Sequence, residues 1–308
     1  DNPDNNPDKP VFSSISFQKN RLTIRWKNSA RATKYQVFIY YLRTITEEAS
    51  LIGELETGQT VQSKIYLYTD IVESTEYFIE GVDVGEESFD NLIFGQNYYI
   101  SVLAMNPTGA KFSDVNQLYI LNRPVLISDK IRYDCFSKCL TIVWDSLISE
   151  EVSKPIDYTV TVLDEKGNKY LSETSDTSYK TSGFTLLGEV TIWVYGKIKD
   201  VTGPDSDHLN IMLYDLTIPV IYDIFDTPEE IIVAWKSVEH AKQYEVELFL
   251  KNGEKLSKEI RFDNHIAHIK CEQLSHLDDY FFCIRAVADY VDGPWSTHHP
   301  SIRRILGV

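Results

Sequence analysis

Histidines, cysteines and one run of carboxylates are the residues here whose types could do chemistry. His265 and His268 lie three apart, in sequence that alternates like a strand. On a strand, positions i and i+3 face opposite sides, so the two rings cannot share a ligand. His298 and His299 are immediate neighbours in a terminal stretch, and no His or Cys cluster has zinc spacing. A Gly-x-Ser-x-Gly elbow, a phosphate-cradling Gly-Lys-Ser/Thr loop and a His-Glu-x-x-His pair are all absent from the sequence. No catalytic residue, metal or cofactor is therefore assigned, and no enzyme or small-molecule substrate is expected.

The carboxylates concentrate in Asp70 to Asp90, which holds eight acids and no Lys or Arg. Three readings are open. The run is a solvated charged face, a contact for a basic partner, or a calcium site. The last is disfavoured because the acids lack the alternating one-three-five spacing of a tight calcium loop. Tyr77, Phe78 and Ile79 are interleaved with the acids, and aromatics beside charge are the composition of a protein interface.

Cys135 and Cys139 bracket an elongated turn, DCFSKC, between two strand-like runs. Their spacing predicts a local disulfide at the low end of the usual stabilisation. Cys271 and Cys283 are harder to pair. Counting from Leu274 and Tyr280 puts Cys271 on an inward face and Cys283 on an outward one. Opposed facing argues against a bond, an even cysteine count argues for one, and free thiols are the reading adopted.

Composition bounds the function classes. The net charge is −16, spread as −2 over 1–9, −4 over 10–122, −5 over 123–217 and −5 over 218–308. A chain this acidic is ill-suited to nucleic-acid phosphates, which need clustered Lys and Arg. No apolar run approaches the ~18–20 residues that cross a bilayer. The chain reads as a mature fragment or an ectodomain, with any membrane anchor outside it. No Asn fits the N-glycan acceptor pattern, and there is no Arg-Gly-Asp.

The elements that must position all of this repeat three times. Leu92 precedes Tyr98 by six, and Ile100, Val102 and Ala104 follow at alternate positions, then Asn106 and Gly109. Leu274, Tyr280, Phe282, Ile284 and Ala286 repeat the pattern, ending at Gly293-Pro294. Phe184, Val190, Ile192, Val194 and Gly196 repeat it again, ending at Gly203-Pro204. Alternation by two means strands with one buried face, and a repeat of this length means modules. Each unit opens on a Pro-Val pair (Pro10, Pro124, Pro219), then a strand ending in Trp26, Trp144 or Trp235, then Tyr-x-Val at Tyr35, Tyr158 or Tyr244. Residues 1–9, DNPDNNPDK, are polar and predicted disordered. The stretch 41–91 of the first unit carries an insert, with added strands at Lys64–Tyr68 and Tyr77–Ile79.

The Pro opening, the Trp, the Tyr-x-Val, the Leu-x5-Tyr corner and the Ala104, Asn106, Gly109 ending resemble the fibronectin type III domain. The resemblance covers nearly the whole chain from Pro10. It implies an all-β protein of three tandem immunoglobulin-like (fibronectin type III) β-sandwiches: 10–122 with insert 41–91, 123–217 and 218–308. It implies Trp26, Trp144 and Trp235 between the sheets, with Tyr98 and Tyr280 bonding backbone at the crossover. In the second unit Phe184 and Val190 replace the corner Leu and Tyr, so that hydrogen bond is expected to be lost and the crossover softer. The function implied is an extracellular or cell-surface binding or adhesion protein. Two alternatives are a cytokine-receptor-like ectodomain, of whose Trp-Ser box only Trp295-Ser296 survives, and a structural spacer. The expected partner is a protein with a basic surface that contacts the insert. Tyr77 and Phe78 would be its anchors, and Glu73, Glu76, Glu80, Glu86 and Glu87 would steer it.

Overall fold

The computed structural model describes residues 5–18, 21–46, 60–80, 92, 94–148, 152, 155–226, 230–250, 252–255, 260–270, 280–297 and 299–300. The chain is all-β and folds as three tandem sandwiches. In the first, β1 (Val11–Gln18), β2 (Arg21–Lys27), β3 (Lys34–Thr46), β4 (Thr60–Tyr68), β5 (Ile71–Val72), β6 (Glu76–Glu80), β7 (Gln96–Asn106), β8 (Gly109–Phe112) and β9 (Asn116–Ile120) form two sheets. One runs β1-β2-β6; the other runs β4-β3-β7-β8, with β5 on β3 and β9 on β7.

The second module holds β10 (Arg132–Asp134), β11 (Cys139–Val143), β12 (Asp157–Asp164), β13 (Lys169–Thr174), β14 (Ser178–Lys180), β15 (Gly188–Ile198), β16 (Val201–Thr202) and β17 (Leu209–Leu213). The third holds β18 (Ile221–Asp226), β19 (Glu230–Trp235), β20 (Gln243–Leu250), β21 (Ile260–Phe262), β22 (Ile266–Lys270), β23 (Tyr280–Ala288), β24 (Val291–Asp292) and β25 (His299–Pro300). Both repeat the first plan: β10-β11-β14 against β13-β12-β15-β16, and β18-β19-β22 against β21-β20-β23-β24.

That plan revises the reading of the insert. β4 pairs β3 as β13 pairs β12 and β21 pairs β20. β6 pairs β2 as β14 pairs β11 and β22 pairs β19. Lys64–Tyr68 and Tyr77–Ile79 are therefore strands that every module has. The extra length lies in the long β3–β4 ribbon and in 47–59 and 81–91, outside the described residues.

Alternation puts one face of each strand into a core. On β7, Tyr98, Ile100, Val102 and Ala104 are buried, and on β2 so are Leu22, Ile24 and Trp26. The three tryptophans sit between the sheets, each against the Tyr of its Tyr-x-Val, with ring centroids 5.4, 5.4 and 5.1 Å apart. Those tyrosine hydroxyls accept backbone N–H bonds from the loop after the Trp: Ser29 N at 2.8 Å, Leu147 N at 3.0 Å and Val238 N at 2.8 Å. The indole N–H groups of Trp26, Trp144 and Trp235 are buried without a partner.

At the crossovers, Tyr98 is buried. Tyr280 begins β23, and its side chain lies outside the described residues. In the second module Val190 has no hydroxyl to make that bond, and a different tyrosine bonds the same connection. Tyr133 on β10 donates its hydroxyl to the Phe184 carbonyl at 3.2 Å, with the two rings edge to face. A tyrosine from the facing sheet thus ties down the connection that Val190 cannot.

Neighbouring modules are hydrogen-bonded to each other. β16 runs parallel to β1, with Phe17 paired to Val201 and the Phe17 N–H on the Asp200 carbonyl at 3.1 Å. β24 runs parallel to β10 in the same manner, through Tyr133 N to Tyr290 O at 2.8 Å and Cys135 N to Asp292 O at 2.9 Å. Arg132 adds an ion pair to Asp292 and a 2.6 Å bond to the Asp289 carbonyl. Val201 is part of the first module's apolar cluster, and a single cluster runs through the second and third modules.

The links between modules are also built alike. Leu121 and Leu216, each three residues before a module-opening proline, are buried. A Cβ on Gly203 would stand 2.9 Å from Leu121 Cβ, and one on Gly293 would stand 3.2 Å from Leu216 Cβ and 2.7 Å from the Ala286 carbonyl. This close approach is what the Gly-Pro turns permit. Pro7 is buried at the corresponding place before Pro10. The predicted disordered tail is accordingly corrected for Asn5–Lys9. Asn106 and Thr108 donate to the Asn5 carbonyl, both at 2.7 Å, Asp8 N donates to Ala30 O at 3.0 Å, and Asp8 pairs with Arg31 at 2.7 Å. A polar segment orders here because its backbone caps the β7–β8 turn.

Candidate interaction surfaces

The residues expected to carry a partner on the insert divide. Tyr77 lies on β6, half-buried against the first core, and its hydroxyl donates to Asp70 Oδ2 at 2.5 Å. Burial, then the Asp70 carboxylate, push its phenol well above the ordinary range. Its hydroxyl is thus engaged within its own module. Glu76 is exposed and paired with Arg25 across the β2–β6 ladder at 2.6 Å, and Glu73 is exposed. The side chains of Phe78 and Glu80, and the whole of Glu86 and Glu87, lie outside the described residues.

The predicted Cys135–Cys139 disulfide is not formed. Register pairs Asp134 with Cys139, leaving Cys135 one step beyond the ladder. Its thiol turns inward, where it donates to the Tyr214 carbonyl at 3.4 Å, and burial raises its pKa. Cys283 is also free. It is buried despite its outward register opposite Glu247, and burial pushes its thiol up to about 11, with Glu247 adding to the rise. Cys271 lies outside the described residues. Among the described residues, no group of three or more His, Cys, Asp and Glu could hold a metal ion. His268 instead contacts Glu230 at 3.2 Å.

Trp295-Ser296, read as half of a receptor box, has a structural explanation. Ser296 N–H donates to the Ile284 carbonyl at 2.8 Å, and its hydroxyl accepts from Ile284 N at 3.0 Å. Ser113 clamps Val102 and Ser206 clamps Val194 in the same way, with hydroxyl contacts of 2.9 and 3.0 Å. Each serine bridges a break in the last strand of its module. A lone Ser is too common to signal this clamp, and what precedes it is an aromatic in the first and third modules but Asp205 in the second.

The outward faces of the three larger sheets can be compared position by position. Val37 pairs Val102, Val160 pairs Val194 and Val246 pairs Ile284, all buried. One step along on the solvent side are Phe38/Ser101, Thr161/Trp193 and Glu247/Cys283. In the third module this face is closed by charge. Arg285 lies 4.7 Å over Trp295 and is held by Glu245 at 2.6 Å, while Lys255 pairs with Glu247 at 2.5 Å. In the second, Trp193 is covered by the stacked ring of His208 at 4.4 Å and by Lys169 Nζ at 5.3 Å.

Among the described residues, the first module carries five aromatics on this face. Phe38 contacts Phe112 at 5.6 Å and Tyr66 at 6.1 Å, and Tyr40 contacts Tyr66 at 5.2 Å and stacks on Tyr99 at 5.4 Å. Lys64 stands 4.9 Å over Tyr40. Tyr66 and Phe112 are 50% and 55% exposed. The outward positions of β3, β4, β7 and β8 beside them are Gln36, Gln62, Lys64, Ser101, Leu103, Met105 and Ala110, none of them acidic. Sequence reasoning missed this patch because its members come from four strands, and no local window shows them together. An open groove of about 570 Å³ lies beside the first junction, between Phe12, Ile15 and Leu118 on one side and Ile198–Val201 on the other.

No known family profile and no curated protein matches the chain. Among solved structures it is similar to the FN1–FN3 domains of chicken CNTN1, with 14% identity over 96% of this chain and 97% of that chain and a TM-score of 0.41.

Proposed function

We propose that this protein is an extracellular or cell-surface binding protein of the adhesion type, presenting the outward face of its first module to a protein partner. The observation that supports this is the uncovered aromatic group around Tyr66 and Phe112. It is free of acid at its described outward positions, in a chain whose net charge is −16. Aromatic-rich, charge-depleted centres are typical of protein interfaces, and exposed apolar patches of this kind mark interaction sites. The extracellular setting follows the resemblance of the tandem sandwiches to adhesion modules.

The test is binding of the fluorescently labelled protein to cell surfaces, with the Tyr66→Ala/Phe112→Ala double variant beside it. Binding that falls at least tenfold in a variant of unchanged melting temperature supports the proposal; equal binding overturns it. A second reading, a spacer that only sets distance, is favoured by the hydrogen-bonded junctions. It predicts that neither protein binds.

A further inference from the structure

We infer that the partner places an arginine or lysine side chain on Phe112 and Tyr66, so that the ligand of this face is a cationic protein surface. The inference rests on the binding role proposed above. Its basis is a comparison inside the molecule. Each larger sheet carries aromatic rings on its outward face. In the third module Arg285 covers Trp295, and in the second Lys169 and His208 cover Trp193. In the first, Lys64 covers Tyr40 alone, and among the described residues no cation lies over Phe112 or Tyr66. Phe112 stands just before Ser113 as Trp295 stands before Ser296, and both serines make the same clamp. Phe112 is thus the counterpart of a ring that a guanidinium covers elsewhere in the chain.

The electrostatics agree. The π faces of the rings attract cations, and a net charge of −16 draws a basic surface in at long range. The same charge opposes a second copy of this chain. Among its described outward positions the face carries no acid, so an incoming cation meets ring faces there rather than a competing carboxylate.

The test uses the full chain, labelled with 15N, at low ionic strength. The probe is the acetylated, amidated peptide Gly-Arg-Ser-Arg-Gly, beside the same peptide with citrulline for both arginines. Citrulline keeps the planar shape and loses the charge. The expected result is amide shift changes clustered at Phe38, Tyr66, Leu103 and Phe112 with the arginine peptide, and at least tenfold weaker binding of the citrulline peptide. Phe112→Lys, which places the chain's own ammonium on the cluster, is expected to abolish binding and serves as the second variant if Tyr66→Ala/Phe112→Ala does not fold. Equal binding of both peptides, shifts confined to the Asp70–Glu76 edge, or displacement by a neutral oligosaccharide would each overturn the inference. If cell binding is lost in the double variant yet the arginine peptide does not bind, the binding role stands and the cation inference fails.

Discussion

Among single residues, the tryptophans and Cys283 give the sharpest expectations. Trp26, Trp144 and Trp235 each fill the space between two sheets, so replacing any of them with Ala should cost on the order of 3–5 kcal/mol in chemical denaturation. Their indole N–H groups have no partner. Trp→Phe therefore loses no hydrogen bond and should cost much less, about 1–2 kcal/mol. Cys283 makes stability depend on alkali. Its folded thiol is raised to about 11, whereas an unfolded thiol ionises near ~8.5. Between those values the unfolded chain releases a proton that the folded chain keeps, so stability falls as pH rises through that window. Denaturation midpoints of the native protein should drop from pH 8.5 to 10.5, and Cys283→Ala should make that drop shallower, leaving the share of the buried Cys135 thiol. Below about pH 7 the thiol contributes almost no slope.

At the scale of elements, the repeated pattern of Trp, Tyr-x-Val and corner was enough to place the strands that carry those residues, because burial on one face imposes a period of two that a sequence displays directly. β4 and β6 carry no such marker, so the sequence reads them as part of an insert although every module has them. The junctions were not legible. A two-residue strand such as β16 has no period, and its parallel partner lies in another module. The glycines of the two Gly-Pro turns were visible, but their purpose depends on Leu121 and Leu216, which lie some eighty residues earlier in the chain. Gly203→Ala and Gly293→Ala should each destabilise by about 1–3 kcal/mol. For Gly203 the clash is with Leu121 Cβ, so a double-mutant cycle with Leu121→Gly should show coupling of at least about 0.5 kcal/mol. No coupling would mean that the linker leucine does not set the turn. The predicted disulfide failed for a related reason. Spacing alone cannot say that Asp134, rather than Cys135, stands opposite Cys139.

Over the whole molecule, the three sandwiches do not behave as independent beads. One apolar cluster spans the second and third modules, and Arg132, Asp292 and the β10–β24 bridge tie them further. Calorimetry should show those two modules melting in one transition, and Leu216→Ala should split it or lower it by several degrees. Two separate transitions in the native chain would refute the coupling. The backward reach of each hairpin, from β16 to β1 and from β24 to β10, also has a mechanical consequence. A chain pulled from its two ends transmits the load through every junction. The short parallel bridges, a few hydrogen bonds each, would part before any sandwich unravels. Such a tether would lengthen in two small early steps, hold while its modules stay folded, and re-latch when the tension falls.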